Sequence, residues 1–238
     1  TSFSDDGNFC RLKKSDWTFD SKGRRQETFY TYLNPRYAII DSEITVCDGK
    51  ITAARRMEYD EAGRLVRSFV GESGADVVPK YELGKSAHIN EDLKNFINIP
   101  EYEYLHESNG NIAQISYNGI VLASYLWGYN GKYPIVEALN TDFATLSRIA
   151  ESAGFSRGGI SLIYDDKSLT SLFNSIRENL PEAKITTLKY HWLTGIAEKA
   201  DCDGTSTFFS YDKFGRLDGI KDFNELFIKK FEYKYRLK

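Results

Sequence analysis

Three aspartates sit in a repeated setting: Phe19-Asp20-Ser21-Lys22-Gly23-Arg24, Tyr59-Asp60-Glu61-Ala62-Gly63-Arg64 and Tyr211-Asp212-Lys213-Phe214-Gly215-Arg216. Carboxylates of this kind could act as general acids or bases, or hold a divalent cation. Glycoside cleavage needs two carboxylates flanking one bond, and nothing in the spacing pairs these three. Asp201, Asp203 and Gly204 begin like a Ca²⁺ loop, but further oxygens at alternate positions and a closing Glu are missing. His88, His106 and His191 are far apart, without metal-ligand spacing and without a neighbouring nucleophile motif such as Gly-x-Ser-x-Gly. GFSRGGIS (154–161) has the glycines and the arginine of a phosphate cradle but no Gly-Lys-Ser/Thr ending. The sequence therefore assigns no catalytic residue, no metal ligand and no cofactor.

The same hexamers have a direct conformational reading. Asp suits the first position of a type I turn, where its carboxylate accepts backbone N–H groups. Gly three residues later adopts positive φ without a Cβ clash. The pair makes a short hairpin loop that ends in a bulge. Asp20, Gly23, Arg24, Asp60, Gly63, Arg64, Asp212, Gly215 and Arg216 are accordingly read as turn residues. Asp48-Gly49, Asn109-Gly110, Asn118-Gly119, Asn130-Gly131 and Asp203-Gly204 add further hairpin signals between apolar alternating runs.

The chemically suggestive surface is aromatic. Tyr125, Trp127, Tyr129 and Tyr133, with Trp192 later, could stack on sugar rings or on a partner's side chains. Strand alternation in SYLWGYN puts Tyr125, Trp127 and Tyr129 on one face and Leu126 on the other. The competing expectation is that the aromatic face packs on neighbouring helices.

Two segments are helical by pattern. In 140–154, Thr141 or Asp142 can cap an apolar set of Phe143, Leu146, Ile149 and Ala150, with Gly154 as the stop. In 165–183, Leu169, Leu172, Phe173, Ile176 and Leu180 form one stripe, and Pro181 ends it. A shorter helix is expected over 90–98. The spacing predicts a mainly β fold: an antiparallel meander of hairpins over 1–139, a two-helix insertion over about 140–181, and terminal hairpins over 182–238 on the same sheet, as one structural domain. The hexamers lie 40 and then 152 residues apart, so no fixed propeller period exists.

Composition narrows the function classes. Aromatic residues reach 14%, with 16 Tyr and 15 Phe, which suits strands. A net charge of −3 supplies no field to attract nucleic acid or an anionic membrane. No apolar run approaches the roughly 20 residues a membrane helix needs. Cys10, Cys47 and Cys202 are odd in number and widely spaced, so buried or half-buried thiols are expected, with one disulfide as the alternative. The start, TSFSDDGNF, has neither an initiator Met nor signal-peptide features, the expectation for a mature or trimmed fragment.

The aromatic-Asp-x-x-Gly-Arg units resemble the YD repeats of the bacterial Rhs family. SYLWGYNGKYPIVEAL (124–139) and NLPEAKITTLKYHWLTGIAEKADCDGTSTFFSYDKFGRL (179–217) are similar to segments of Rhs/YD-repeat proteins from Bacteroides-type bacteria, as in an Rhs-repeat core fragment. The resemblance covers roughly 103–238, and earlier only the repeat units carry it. It implies hairpin repeats spiralling into a large sheet, closed in some members into a shell that holds a toxin domain. Other family members are cell-surface adhesion proteins. An Asp-Pro-rich autocleavage signature is missing here, and about 240 residues cannot enclose a sizeable cavity.

The expected function is a non-enzymatic scaffold or interaction segment of a larger exported or cell-surface bacterial protein. Its partners would be neighbouring repeats or another protein. A carbohydrate-binding module centred on Trp127 is the alternative, and a hydrolase with a dispersed site is the third.

Overall fold

The computed structural model describes residues 2–3, 13–34, 39–48, 50–71, 95–155, 165–191 and 193–234. Fifteen strands and two longer helices are formed among them. The strands are β1 (Ser2–Phe3), β2 (Lys13–Phe19), β3 (Arg25–Asn34), β4 (Ile39–Cys47), β5 (Lys50–Tyr59), β6 (Leu65–Val70), β7 (Ile99–His106), β8 (Ile112–Tyr117), β9 (Ile120–Gly128) and β10 (Tyr133–Leu139). After helices α1 (Phe143–Ser152) and α2 (Asp166–Asn179) come β11 (Lys184–His191), β12 (Gly195–Ala200), β13 (Ser206–Tyr211), β14 (Leu217–Lys221) and β15 (Phe227–Lys230). Strand order follows sequence order from β1 to β15 without a crossover. The fold is thus the mainly β antiparallel meander with two helices that the turn spacing predicts. Of the short helix expected over 90–98, only residues 95–98 are described, and 95–96 are helical.

Contacts gather into two compact units: Thr1–Tyr104 with Tyr117–Ile120, and Leu105–Ser116 with Val121–Lys238. In the first, register lines up Phe29, Ile44 and Ala54 across β3, β4 and β5. With Ile51, Phe69 and Ile97 they make a small core, in which Ile44 and Ile97 are wholly buried. The Arg56 guanidinium lies over the Phe69 ring at 4.1 Å, so its stem shields this core while the charge pairs with Glu58 at 2.7 Å.

In the second unit the helices supply the cover. Asp142 caps α1 by accepting the Thr145 N–H at 2.7 Å, and Asp165 caps α2 by accepting that of Ser168 at 2.9 Å. The α1 chain then turns at Gly154 (φ +85°), where the Phe155 N–H reaches back to the Ala150 carbonyl at 3.0 Å. Phe143, Leu146, Ile149 and Ala150 of α1 and Leu169, Leu172, Phe173 and Ile176 of α2 bury against Leu126, Ile135, Val136 and Ile185 of β9, β10 and β11. Leu180 packs at the edge of the same cluster. Each fully buried Leu or Ile stabilises the unit by roughly 1.5–3 kcal/mol. A bulge between Pro134 and Val136 turns Ile135 and Val136 both inward.

Candidate functional site

The three hexamers share one geometry. The Gly63 N–H donates to the Asp60 carbonyl and the Asp60 N–H to the Arg64 carbonyl, both at 2.9 Å. Gly63 stands at φ +76°, which makes the turn type I with a glycine bulge. The Asp60 carboxylate accepts the N–H groups of Ala62 (3.0 Å) and Arg64 (2.9 Å) on one oxygen and Arg64 Nε (2.7 Å) on the other. Asp20 repeats this with Lys22, Arg24 and Arg24 Nε at 2.8, 2.9 and 2.8 Å. Asp212 does so with Phe214, Arg216 and Arg216 Nε at 2.8, 3.0 and 2.8 Å, and Arg216 also donates through a terminal guanidinium nitrogen.

Those bonds set the electrostatics. The carboxyls of Asp20 and Asp60 lie below the usual carboxylate range, chiefly through the backbone N–H of Arg24 and of Arg64, with the guanidinium adding to it. For Asp212 the Arg216 guanidinium is the leading cause. Each acid is consumed by its own chain reversal. Among the described residues, no group of three or more His, Cys, Asp or Glu side chains gathers in a way that could hold a metal ion.

The tyrosine of the motif has its own task. Tyr59 Oη donates to the Ile40 carbonyl at 2.8 Å and Tyr211 Oη to that of Ile196 at 2.9 Å. Each reaches back to the preceding strand and ties the corner to it. Phe19, in the first copy, has no hydroxyl and is 63% exposed.

The same backbone corner recurs where the pattern is weaker. Glu107 to Asn111 and Asp201 to Thr205 close with the same two bonds, at 2.8 and 2.9 Å and at 3.1 and 2.9 Å. Asp203 is therefore a turn residue, accepting the Thr205 N–H at 2.9 Å. A further copy, Asp222 to Leu226, escapes sequence reading altogether. Its Asp222 carboxylate accepts the N–H groups of Asn224 and Leu226, both at 2.9 Å. Here Glu225 takes the glycine position at φ +62°, and Leu226 replaces the arginine. Asp alone was the available signal.

The aromatic residues do not share one face. Tyr125 Oη donates to Glu137 at 3.1 Å and Trp127 Nε1 to the Ile112 carbonyl at 2.8 Å, both half-buried. Leu126, between them, faces the helices. Tyr129 was expected beside Trp127 but is buried in the core with Leu126. The reason is local: β9 ends at Gly128, and Tyr129, Asn130 and Gly131 all take positive φ, at 53°, 58° and 72°. Alternation stops there, and the Tyr129 ring swings inward. It meets Tyr190, whose N–H donates to Tyr129 Oη at 2.9 Å. Tyr133 stacks on Tyr190 at 4.6 Å and is 37% exposed. Burial, followed by the neighbouring Tyr129 and Tyr133, pushes the Tyr190 phenol up to about 12. Trp192 lies outside the described residues, as do His88, Cys10 and residues 156–161 of the glycine-rich loop. Cys47 is buried, but Cys202 is exposed at a turn, contrary to the expected half-burial, and both are free thiols.

A mixed-charge cleft of about 310 Å³ lies in the second unit over β11–β14. Lys189 and Glu198 pair there at 2.8 Å. Burial would raise the Glu198 carboxyl, but hydrogen bonds from Lys189 and Ser206 outweigh it and hold it low. No helix of the described residues is long and apolar enough to cross a membrane.

No protein-family profile and no curated protein matches the sequence. Among solved structures, a TcdB2-TccC3 crystal structure is similar over 89% of this chain and 9% of its own, at 14% identity and TM-score 0.45. A TcdB2-TccC3-TEV crystal structure matches 88% of this chain and 9% of its own, at 12% identity and TM-score 0.44. For a Photorhabdus luminescens Tc holotoxin pore the figures are 93%, 11%, 10% and 0.37. This chain spans about a tenth of the length of the solved chains it matches. At that identity and overlap, no functional statement follows from them.

Proposed function

We propose that this chain is a YD-repeat segment of the Rhs type, working as a non-enzymatic scaffold or interaction module in a larger exported or cell-surface bacterial protein. The observation that carries this reading is the Asp–Arg corner. The one motif the sequence repeats spends its carboxylate, guanidinium and backbone on holding a chain reversal. The exported setting and the family rest on the resemblance of the corner sequences alone.

Strand β15 supplies the interaction surface. All four of its residues are exposed, including Phe227 (56%) and Ile228 (64%), whose side chains alternate to the two faces. An edge strand bare on both faces is a template for a further strand. Neighbouring repeats of a parent chain, or another protein, would cover it.

Hydrogen exchange tests this. In this chain alone, the outward-facing β15 amides should exchange rapidly; in the parent protein they should be protected by more than about tenfold. Equal exchange in both settings would refute the scaffold reading at this edge.

A further inference from the structure

The second compact unit contains a site that the corner chemistry leaves untouched. Printed register makes Lys189, Glu198, Phe208 and Lys221 successive Cα partners across β11, β12, β13 and β14. Cross-strand partners share a face, so these four side chains stand in one row on one side of the sheet. The row lines the 310 Å³ cleft, a volume at the lower end of small-molecule sites. Asp166, in the first turn of α2, and Glu225, in the Asp222 corner, also line it.

The charges in the cleft fall into two groups. Lys189 and Glu198 neutralise each other, and Ser206 fixes the second Glu198 oxygen at 2.7 Å. They form a rigid and electrically quiet wall. Asp166, Glu225 and Lys221 are different: none has a side-chain hydrogen bond or ion pair among the described residues. The Lys221 ammonium meets only the Phe227 ring, at 5.1 Å. Two uncommitted carboxylates and one uncommitted ammonium thus border an aromatic surface provided by Phe208. A purely anionic ligand would face two carboxylates, and a purely cationic one would leave Lys221 unanswered. A compact molecule with both charges and an apolar body satisfies all three groups.

We infer that this cleft binds a free α-amino acid with an apolar side chain. The α-ammonium lies toward Asp166 and Glu225, the α-carboxylate toward Lys221, and the side chain against Phe208. This site goes beyond the scaffold reading and stands without it, because it uses none of the edge strand's exposed backbone.

The test is a titration of the whole chain with L-leucine at millimolar concentration, followed by amide chemical shifts and by calorimetry. Leucinamide, lacking the carboxylate, and N-acetyl-leucine, lacking the ammonium, serve as probes of each end. L-leucine should shift the amides of β13 and β14, and each blocked form should bind about tenfold more weakly. Lys221→Ala should reduce L-leucine to the leucinamide level while leaving leucinamide binding unchanged. Asp166→Asn combined with Glu225→Gln should do the same relative to N-acetyl-leucine. Lys213→Ala, on an exposed lysine outside the cleft, should change nothing. All four side chains lie at the surface, and melting curves would verify that the variants fold. Failure of L-leucine to shift β13 and β14, or equal affinity for the three ligands, would overturn the assignment.

Discussion

Asp60 and Arg64 are joined three times: by the Asp60 N–H to the Arg64 carbonyl at 2.9 Å, by the Arg64 N–H to Asp60 Oδ1 at 2.9 Å, and by Arg64 Nε to Asp60 Oδ2 at 2.7 Å. Backbone and side chain therefore close the same loop. Asp212 and Arg216 do likewise, which explains why the motif keeps its acid and its base at a fixed separation.

The bulge position demands positive φ. Gly63→Val should destabilise the protein by more than about 1 kcal/mol in urea unfolding, because a β-branched residue is strained there. A Cβ at Gly63 would meet only Ile39 Cδ1, at 3.8 Å, so crowding is not the cause. Gly63→Asn should cost much less, since Asn tolerates this region.

The reverse experiment uses Glu225, which occupies φ +62°. Glu225→Gly should raise stability by about 0.5–1 kcal/mol, the relief of left-handed strain less the added chain entropy of glycine. A lower urea midpoint would contradict the corner assignment at Asp222.

Acid should open the corners. The carboxyls of Asp20, Asp60 and Asp212 are depressed in the folded protein. Their stabilisation is therefore present above the ordinary carboxyl value, about 4, and is lost as pH falls through their folded values. The urea midpoint should drop between pH 5 and pH 3 (about one unit either side of that value). In an Asp60→Asn, Asp212→Asn double variant, which keeps an oxygen acceptor, the drop should be visibly shallower.

Close packing makes a sharper demand at Gly128. A Cβ there would approach Ile135 Cγ2 to 2.7 Å, inside the helix-covered core. Gly128→Ala should cost about 1–3 kcal/mol, and Ile135→Val in the same chain should recover part of it. Simple additivity of the two changes would deny the contact.

Trp127 separates scaffold from carbohydrate binding. Its indole N–H is already committed to the Ile112 carbonyl at 2.8 Å. Trp127→Ala should lower the melting temperature, while a glycan array should stay at background for both proteins. Reproducible glycan signals that vanish in the variant would establish the carbohydrate-binding alternative.

What could be read from sequence depended on how local its cause is. Asp60 and Gly63 are legible because a five-residue loop contains the whole reason for their identity. Leu169, Leu172, Phe173 and Ile176 are legible because a helix repeats its own period. The Asp222 corner was not, since Glu225 stands where glycine advertises such turns. Tyr129 was misplaced because three consecutive left-handed residues, which no alternation pattern encodes, end its strand. The Lys189–Glu198–Phe208–Lys221 row was invisible because register depends on bulges, such as that between Lys189 and Tyr190, and on strands up to 32 residues apart in the chain.

Strand order without a crossover has a consequence for how such a chain is made. No strand must await a distant partner, so each new hairpin can zip onto the one synthesised just before it, and loop-closure entropy stays small at every addition. A polypeptide built this way can be threaded through a narrow channel and re-form behind it in order of emergence. It can also gain or lose a pair of strands over evolutionary time without re-routing the remainder.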